Sequence, residues 1–163
     1  MRFLLKFHFL SLAMMASAGA LVIALIAQYG YGLYPCEICS YQRIPYGGVL
    51  LFGGCAVAIG GWKRSHISYL FSVIFLCSAA LAFYHTGIEQ HWWRAATSCG
   101  GHQPMPSSLT ELNLSLANAI PKACDEIDWT LLGLPMSVYN IVVSLMLSIL
   151  GLLSARINQS GAI

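Results

Sequence analysis

Residues 131–154 read LLGLPMSVYNIVVSLMLSILGLLS, twenty-four positions without a single charge. A hydrocarbon core about 30 Å thick needs ~20 helical residues to cross it, with 17–25 tolerated. In lipid such a run must be helical, because every backbone N–H and C=O has to pair within its own segment. Outward from it lie three more uncharged runs, residues 9–27, 44–61 and 67–84. The composition agrees with them. Hydrophobic residues make up 58% of the 163 positions and charged residues only 9%, against ~25% charged in soluble domains. A soluble fold needs more charge than this to cover its surface. A disordered chain has less apolar content. A net charge of +2 provides no electrostatic footprint for nucleic acid. The expected fold class is therefore an all-α membrane protein, a four-transmembrane-helix bundle. It forms a single domain over residues 1–163, with spans near 9–27, 44–61, 67–84 and 134–154.

The first run has a second reading as a secretory signal. Arg2 and Lys6 precede it, and Ala16-Ser17-Ala18 has the small residues of a cleavage site. A cleaved signal has an apolar core of about 7–15 residues, whereas this one continues to Ala27, so the run is expected to stay as a span. Charge then orients the bundle. Arg2, Lys6, Lys63, Arg64 and Arg156 flank the N-terminus, the short second connection and the C-terminus. In a four-span chain these fall on one side, which the positive-inside rule makes cytoplasmic. The outer side holds residues 28–43 and 85–133, with all six acidic residues and only Arg43, Arg94 and Lys122 as bases. Both termini are expected inside.

The six cysteines divide by depth. Cys55 and Cys77 lie within the second and third spans and read as small buried hydrophobes. Cys36, Cys39, Cys99 and Cys124 all fall in the two outer loops, and an even set in one compartment implies that disulfides form there. The bacterial periplasm is such a compartment. Cys36-Glu37-Ile38-Cys39 is a C-x-x-C, in itself either half a zinc site or a redox pair. Near a helix N-terminus the peptide dipoles lower a thiol pKa below its free value of ~8.5. Arg43 follows Cys39 by four residues and shares a face with it if the stretch is helical. If Pro45 is instead the first helical residue, residues 36–43 form a turn outside the span. Cys99 and Cys124 read either as one structural disulfide closing their loop, worth ~3 kcal/mol on a chain-entropy argument, or as a second redox pair. His85, His91 and His102 are near enough in sequence to be metal ligands, but they form no recognised zinc-ligand spacing.

Other features concern placement. Ser108-Leu109-Thr110-Glu111 is a capping box, and Leu109, Leu112, Leu116 and Ile120 follow at helical spacing until Pro121. This predicts a short amphipathic helix over 108–120 with no basic residue. Trp92, Trp93 and Trp129 sit at span ends, where interfacial aromatics belong. Gly54 with Ala58, and Ala56 with Gly60, would let helices approach closely, and Asn140 is expected to hydrogen-bond between helices.

Taken together, the chain resembles the disulfide bond formation protein B (DsbB) family of bacterial inner-membrane thiol oxidases. The matching pieces are Pro35-Cys36-Glu37-Ile38-Cys39-Ser40-Tyr41-Gln42-Arg43 and Tyr84-His85-Thr86-Gly87-Ile88-Glu89-Gln90. Cys99 follows, then Cys124-Asp125-Glu126, Trp129 and Gly133-Leu134-Pro135-Met136. The resemblance implies a quinone-dependent protein thiol-disulfide oxidoreductase of the bacterial inner membrane, with its redox cysteines on the periplasmic side. A periplasmic DsbA-type, thioredoxin-fold oxidant would attack the Cys99–Cys124 disulfide and join Cys99. Cys124 would exchange with Cys36, and Cys39 would contact a membrane quinone, ubiquinone or menaquinone. Arg43 matches the arginine at the quinone, where a fixed positive charge favours both a thiolate and developing negative charge. The expected catalytic set is Cys36, Cys39, Cys99 and Cys124, with Arg43 binding quinone and no metal. His85 matches a histidine found in part of the family. Two other readings compete. One is a related oxidoreductase with a different acceptor or direction, as in vitamin-K-epoxide-reductase-like proteins. The other is a non-catalytic membrane scaffold or metal-binding subunit with a structural disulfide.

Overall fold

The computed structural model describes residues 2–60, 62–94, 108–110, 124–125, 127 and 130–160, with backbone alone for 2–7 and 131. It is mostly helical. Helix α1 (Arg2–Leu25) widens at its end into a π-helical turn, Ile26–Gly30. A short α2 (Glu37–Tyr41) leads through Gln42 into α3 (Arg43–Ile59). Helix α4 runs Arg64–Glu89. A two-stranded hairpin, β1 (Thr130–Leu131) and β2 (Leu134–Pro135), precedes α5 (Met136–Ser160). Among the described residues, three segments are long and apolar enough to cross a membrane: His8–Gly30, Arg64–Glu89 and Met136–Ser160. Helix α3 has 17 residues, about 26 Å at 1.5 Å per residue, which is the lower end of the spanning range.

The boundaries move for identifiable reasons. The uncharged run 44–61 ends as a helix at Ile59, because Gly60 turns out at φ 69° while its N–H still donates to the Ala56 carbonyl. A positive φ carries no Cβ penalty at glycine. The run 131–154 is not one span either. Leu132 and Gly133 both have positive φ (52° and 79°), which makes a two-residue hairpin turn of the type favoured by strand twist. Leu131 therefore pairs with Leu134 and Thr130 with Pro135, so the helix begins only at Met136 rather than at 134.

Helices α1, α3, α4 and α5 pack around a ring in that order, and α4 and α5 share the most extensive interface. That interface is a seam of serines. Ser72 Oγ donates to the Ser148 carbonyl at 2.7 Å, and Ser148 Oγ returns a bond to the Ser72 carbonyl at 2.9 Å. Ser68 meets Ser154 at 3.2 Å and Ser144 meets Ser78 at 3.3 Å. All six are buried. Small hydroxyl side chains let the two backbones come close and give each helix a polar partner. Gly151 belongs to the same contact, since a Cβ there would lie 3.0 Å from Phe9, from the Ser68 carbonyl and from Ser72. Around the seam, Phe9, Ala13, Val49, Phe71, Phe75 and Leu147 fill the core.

Some placements differ from the sequence reading. Close approach by α3 uses Gly53 and Ala56, which are buried, whereas Ala58 and Gly60 are exposed; Gly53 packs against Met14 and Phe71. Cys55 and Cys77 face outward from the bundle instead of lying in its core. Trp92 and Trp93 do follow the end of α4. The Trp93 ring stacks on Tyr84 and its Nε1 donates to the Tyr84 carbonyl at 3.1 Å. Leu109 and Thr110 are helical and Ser108 precedes them in a bend, while residues 111–120 of the expected helix, with Glu111 of its capping box, and Trp129 lie outside the described residues. Because Ser68 pairs with Ser154, Lys63 and Arg64 share one end of the bundle with Arg156. The opposite end, where α1 stops and α5 starts, carries the chemistry-bearing side chains.

Candidate functional site

The π-turn of α1, the α2–α3 junction, the end of α4 and the start of α5 surround a cavity of about 440 Å³. Its wall is mainly apolar, formed by Ala20, Ile23, Ala24, Met136 and Val143. Cys36, Cys39, Arg43, His85 and Glu89 also reach it.

Cys36 caps α2. Its backbone is extended (φ −65°, ψ 169°), and its sulfur accepts the Cys39 N–H at 3.2 Å, the place that serine or aspartate oxygen takes in ordinary N-caps. The cap brings the two sulfurs to 2.8 Å, with the Cys36 thiol donating to Cys39 Sγ. That bond makes the pair unequal. Holding a proton against Cys39, together with burial, pushes the Cys36 thiol up to about 12. Receiving the bond holds the Cys39 thiol below its ordinary value, despite an opposing push from burial. In the reduced pair Cys39 is therefore the more acidic sulfur and Cys36 the less acidic.

His85 stands over both sulfurs. Its Nε2 lies 3.5 Å from Cys36 Sγ and 4.0 Å from Cys39 Sγ. A chain of side chains orients the ring. Tyr46 OH donates to Asn140 Oδ1, Asn140 Nδ2 donates to Gln42 Oε1 at 2.6 Å, and Gln42 Nε2 approaches His85 Nδ1 at 2.9 Å. With Nδ1 accepting, the neutral imidazole carries its proton on Nε2, facing the sulfurs. Glu89, one turn further along α4, places Oε1 3.7 Å from that nitrogen and accepts a bond from Ser137 of α5. Among the described residues, Cys36, Cys39 and His85 form a group whose donor atoms all lie within 4.8 Å.

Cys124 is buried and packs with Cys36, Ile38 and Ile88 in one cluster, which Cys39 and Tyr84 border. Its charge is close enough to act on Cys39. The structure thus brings Cys36, Cys39 and Cys124 together, with Arg43 on the same cavity, and Cys99 lies outside the described residues. Arg43 is not bonded to Cys39. Helix α2 ends at Tyr41 and α3 starts at Arg43, so the two residues sit on different helices, and Pro45 is the third residue of α3. Arg43 Nη1 instead donates to Gln28 Oε1 at 2.5 Å, on the π-turn of α1. Single-turn π-bulges recur where a helix must aim a side chain at a site. Asn140 does bond between helices, as expected. Gln28, Tyr46 and Ser137 were missed by the sequence reading, and Gln42 entered it only as part of the matching stretch, without a role. The available signal was polar side chains at the margins of apolar runs, which rarely lie there without a partner.

Comparison with known proteins gives the family. The family model described as "Disulfide bond formation protein DsbB" matches residues 6–154. The chain is similar to "Disulfide bond formation protein B" of Mannheimia succiniciproducens, 31% identical over 142 residues, covering 80% of this chain and 76% of that protein. It is 26% identical over 141 residues to the protein of the same name from Xylella fastidiosa strain Temecula1, covering 83% and 81%. It is also 26% identical over 137 residues, covering 82% and 79%, to "Uncharacterized protein RP370" of Rickettsia prowazekii. No solved structure gives a significant match.

Proposed function

The chain belongs to the DsbB family of disulfide bond formation proteins, and from that premise we propose that it is a quinone-linked thiol oxidase of the bacterial inner membrane. It re-oxidises a periplasmic thioredoxin-fold, DsbA-type oxidant. The observation that carries this reading is the packing of Cys124 against the Cys36–Cys39 pair, at the wall of an apolar cavity that Arg43 also reaches.

The reaction is a relay of thiol–disulfide exchanges. A thiolate of the reduced partner attacks Cys99 of a Cys99–Cys124 disulfide and releases Cys124 as thiolate. Cys124 attacks Cys36 of the Cys36–Cys39 disulfide and releases Cys39. A sulfur leaves faster when its thiol pKa is lower, and Cys39 is the lowered one, so attack falls at Cys36. The partner's second thiol then resolves the bond at Cys99, and Cys99 reclaims Cys124 from Cys36. The partner ends oxidised, the outer disulfide is restored, and two electrons rest on the Cys36–Cys39 dithiol.

Those electrons need an acceptor beside Cys39. The cavity fits a quinone ring: about 440 Å³ is within the ~300–1,000 Å³ of small-molecule sites, its walls are apolar, and a permanent cation and a thiolate share it. Quinone, when bound, supplies the capacity to take up two electrons and two protons. The chain's own part is to hold the thiolate and the charge ready. Gln28 fixes the Arg43 guanidinium at the cavity, where a preset cation stabilises developing negative charge without reorganising. His85 Nε2 faces the sulfurs, nearer Cys36 at 3.5 Å, where a hydrogen bond to that sulfur favours its anionic form.

Orientation follows from charge. Lys63, Arg64 and Arg156 mark the end opposite the cysteines, so the cysteine end faces the periplasm by the positive-inside rule. The test is trapping. A Cys124→Ser variant should accumulate a disulfide between Cys99 and a thioredoxin-fold partner, seen on non-reducing gels and identified by mass spectrometry. A scaffold or subunit with a structural disulfide traps nothing. Absence of any trapped partner, with the variant folded and in the membrane, would overturn the proposal.

A further inference from the structure

We infer that the reduced site also binds zinc: Cys36 Sγ, Cys39 Sγ and His85 Nε2 form a three-ligand set for a thiophilic divalent cation, with the fourth position facing the cavity. The three donors are brought together from two distant stretches and lie within 4.8 Å of one another. Two thiolates and an imidazole are the donors that zinc selects over magnesium or calcium, which take oxygen.

The distances test the fit. Zn–S and Zn–N bonds of ~2.3 Å and ~2.05 Å in a tetrahedron require S···N of ~3.6 Å and S···S of ~3.8 Å. The observed S···N separations are 3.5 Å and 4.0 Å. The sulfurs are 2.8 Å apart, so a metal must open that edge by about 1 Å. This lies within reach of rotamer changes in a first helical turn.

The surroundings of His85 suit a metal as well as a thiolate. A metal-bound histidine donates its other N–H to a carbonyl or carboxylate. Each member of the Tyr46–Asn140–Gln42 chain can both donate and accept. If the Gln42 and Asn140 amides turn together, Gln42 Oε1 accepts from His85 Nδ1–H, and the Nε2 lone pair is freed toward the sulfurs. Glu89, 3.7 Å from Nε2, is then beside the open fourth position, where a water from the cavity completes the tetrahedron with a carboxylate to accept its hydrogen.

Binding displaces the sulfur-bound protons, one from Cys36 and a second wherever Cys39 is still a thiol, so affinity rises with pH. The disulfide form has no thiolates and does not bind. Binding is therefore independent of the proposed turnover. Only its consequence rests on that reading: zinc on the dithiol withholds Cys39 from the acceptor and stops the cycle until a chelator removes it.

The experiment uses the full-length protein in detergent, reduced, desalted anaerobically and titrated with Zn²⁺ against a chromophoric chelator, with Co²⁺ as spectroscopic probe. The expected result is one metal per reduced chain, thiolate-to-cobalt charge-transfer absorption, and none in the oxidised protein. Alkylation followed by mass spectrometry should show Cys36 and Cys39 protected by Zn²⁺ while Cys99 and Cys124 still react. His85→Ala should weaken binding at least ~10-fold. The inference is overturned if the reduced wild-type chain binds no zinc, if protection falls on Cys99 and Cys124 instead, or if His85→Ala binds as tightly as wild type. The wild-type oxidised and protection measurements need no variant to fold. Quinone turnover of metal-free protein is measured alongside. Turnover without zinc binding sinks this inference alone, and zinc binding without turnover sinks the redox reading alone.

Discussion

A single proton decides which sulfur of the pair is reactive. It sits on Cys36, donated to Cys39, and it holds the Cys39 thiol below its ordinary value. In chelator-treated, reduced protein, alkylation of Cys39 should therefore rise through a lower midpoint than that of an ordinary thiol, while Cys36 stays protonated until about 12. Removing the donor with Cys36→Ala should move the Cys39 midpoint upward. Cys36→Ser, which keeps an O–H, should move it less. Equal midpoints in wild type and Cys36→Ala would show that the thiol donor is not the cause. Gln42 is the other pivotal side chain. Gln42→Leu removes the partner of buried His85 Nδ1 and of half-buried Asn140 Nδ2, at a cost of about 1–3 kcal/mol for an unsatisfied buried group. The melting temperature in detergent should fall, and an unchanged one would remove Gln42 from the network.

At the scale of helices, the α4–α5 seam and the cap on α4 carry the positioning. Ser72 and Ser148 exchange side-chain bonds to each other's carbonyls. Ser72→Ala and Ser148→Ala should each cost about 0.6–1.7 kcal/mol in mixed-micelle unfolding, with less than additive loss in the double variant because the bonds are reciprocal. Strict additivity would contradict the pairing. Gly87 is small because the Trp93 ring lies on it: a Cβ there would be 2.0 Å from Trp93 Cζ2. Gly87→Ala should displace the indole, costing about 1–3 kcal/mol and weakening the near-ultraviolet tryptophan dichroism. An unaltered spectrum would mean that the ring does not pack there.

These elements also mark how far the sequence could be read. The long helices were visible because uncharged runs have few alternatives in lipid, and Asn140 announced itself as a polar residue within one. The serine seam was in plain view at helical spacing, but serine is unremarkable alone and only the partner helix gives Ser72 its meaning. Gly53 and Gly54 are adjacent, so pattern alone could not say which one faces Phe71. Cys36, Cys39 and Arg43 were legible as types. Their geometry was not, because the break at Gln42 redirects Arg43 toward Gln28, and that contact depends on a π-turn that no motif encodes.

Across the whole molecule, the two ends differ in chemistry. Lys63, Arg64 and Arg156 mark one end, and the cysteines, His85 and Glu89 gather at the other. An impermeant thiol reagent added to reduced, intact spheroplasts should label Cys99, since the loop that bears it follows α4 at the cysteine end. Labelling only after the membrane is broken would reverse the orientation.

Four helix ends of the bundle meet around a cavity, and the proposed relay would bring its last thiolate to the acceptor there. The direct measurement is a single-turnover mixing experiment with protein in lipid nanodiscs, a reduced thioredoxin-fold oxidant and a membrane quinone, without oxygen. One quinone should lose its oxidised absorbance for each partner molecule oxidised, and Cys39→Ser should leave the quinone oxidised. Quinone reduction that persists in Cys39→Ser, or partner oxidation by wild type with no quinone reduced, would contradict the account.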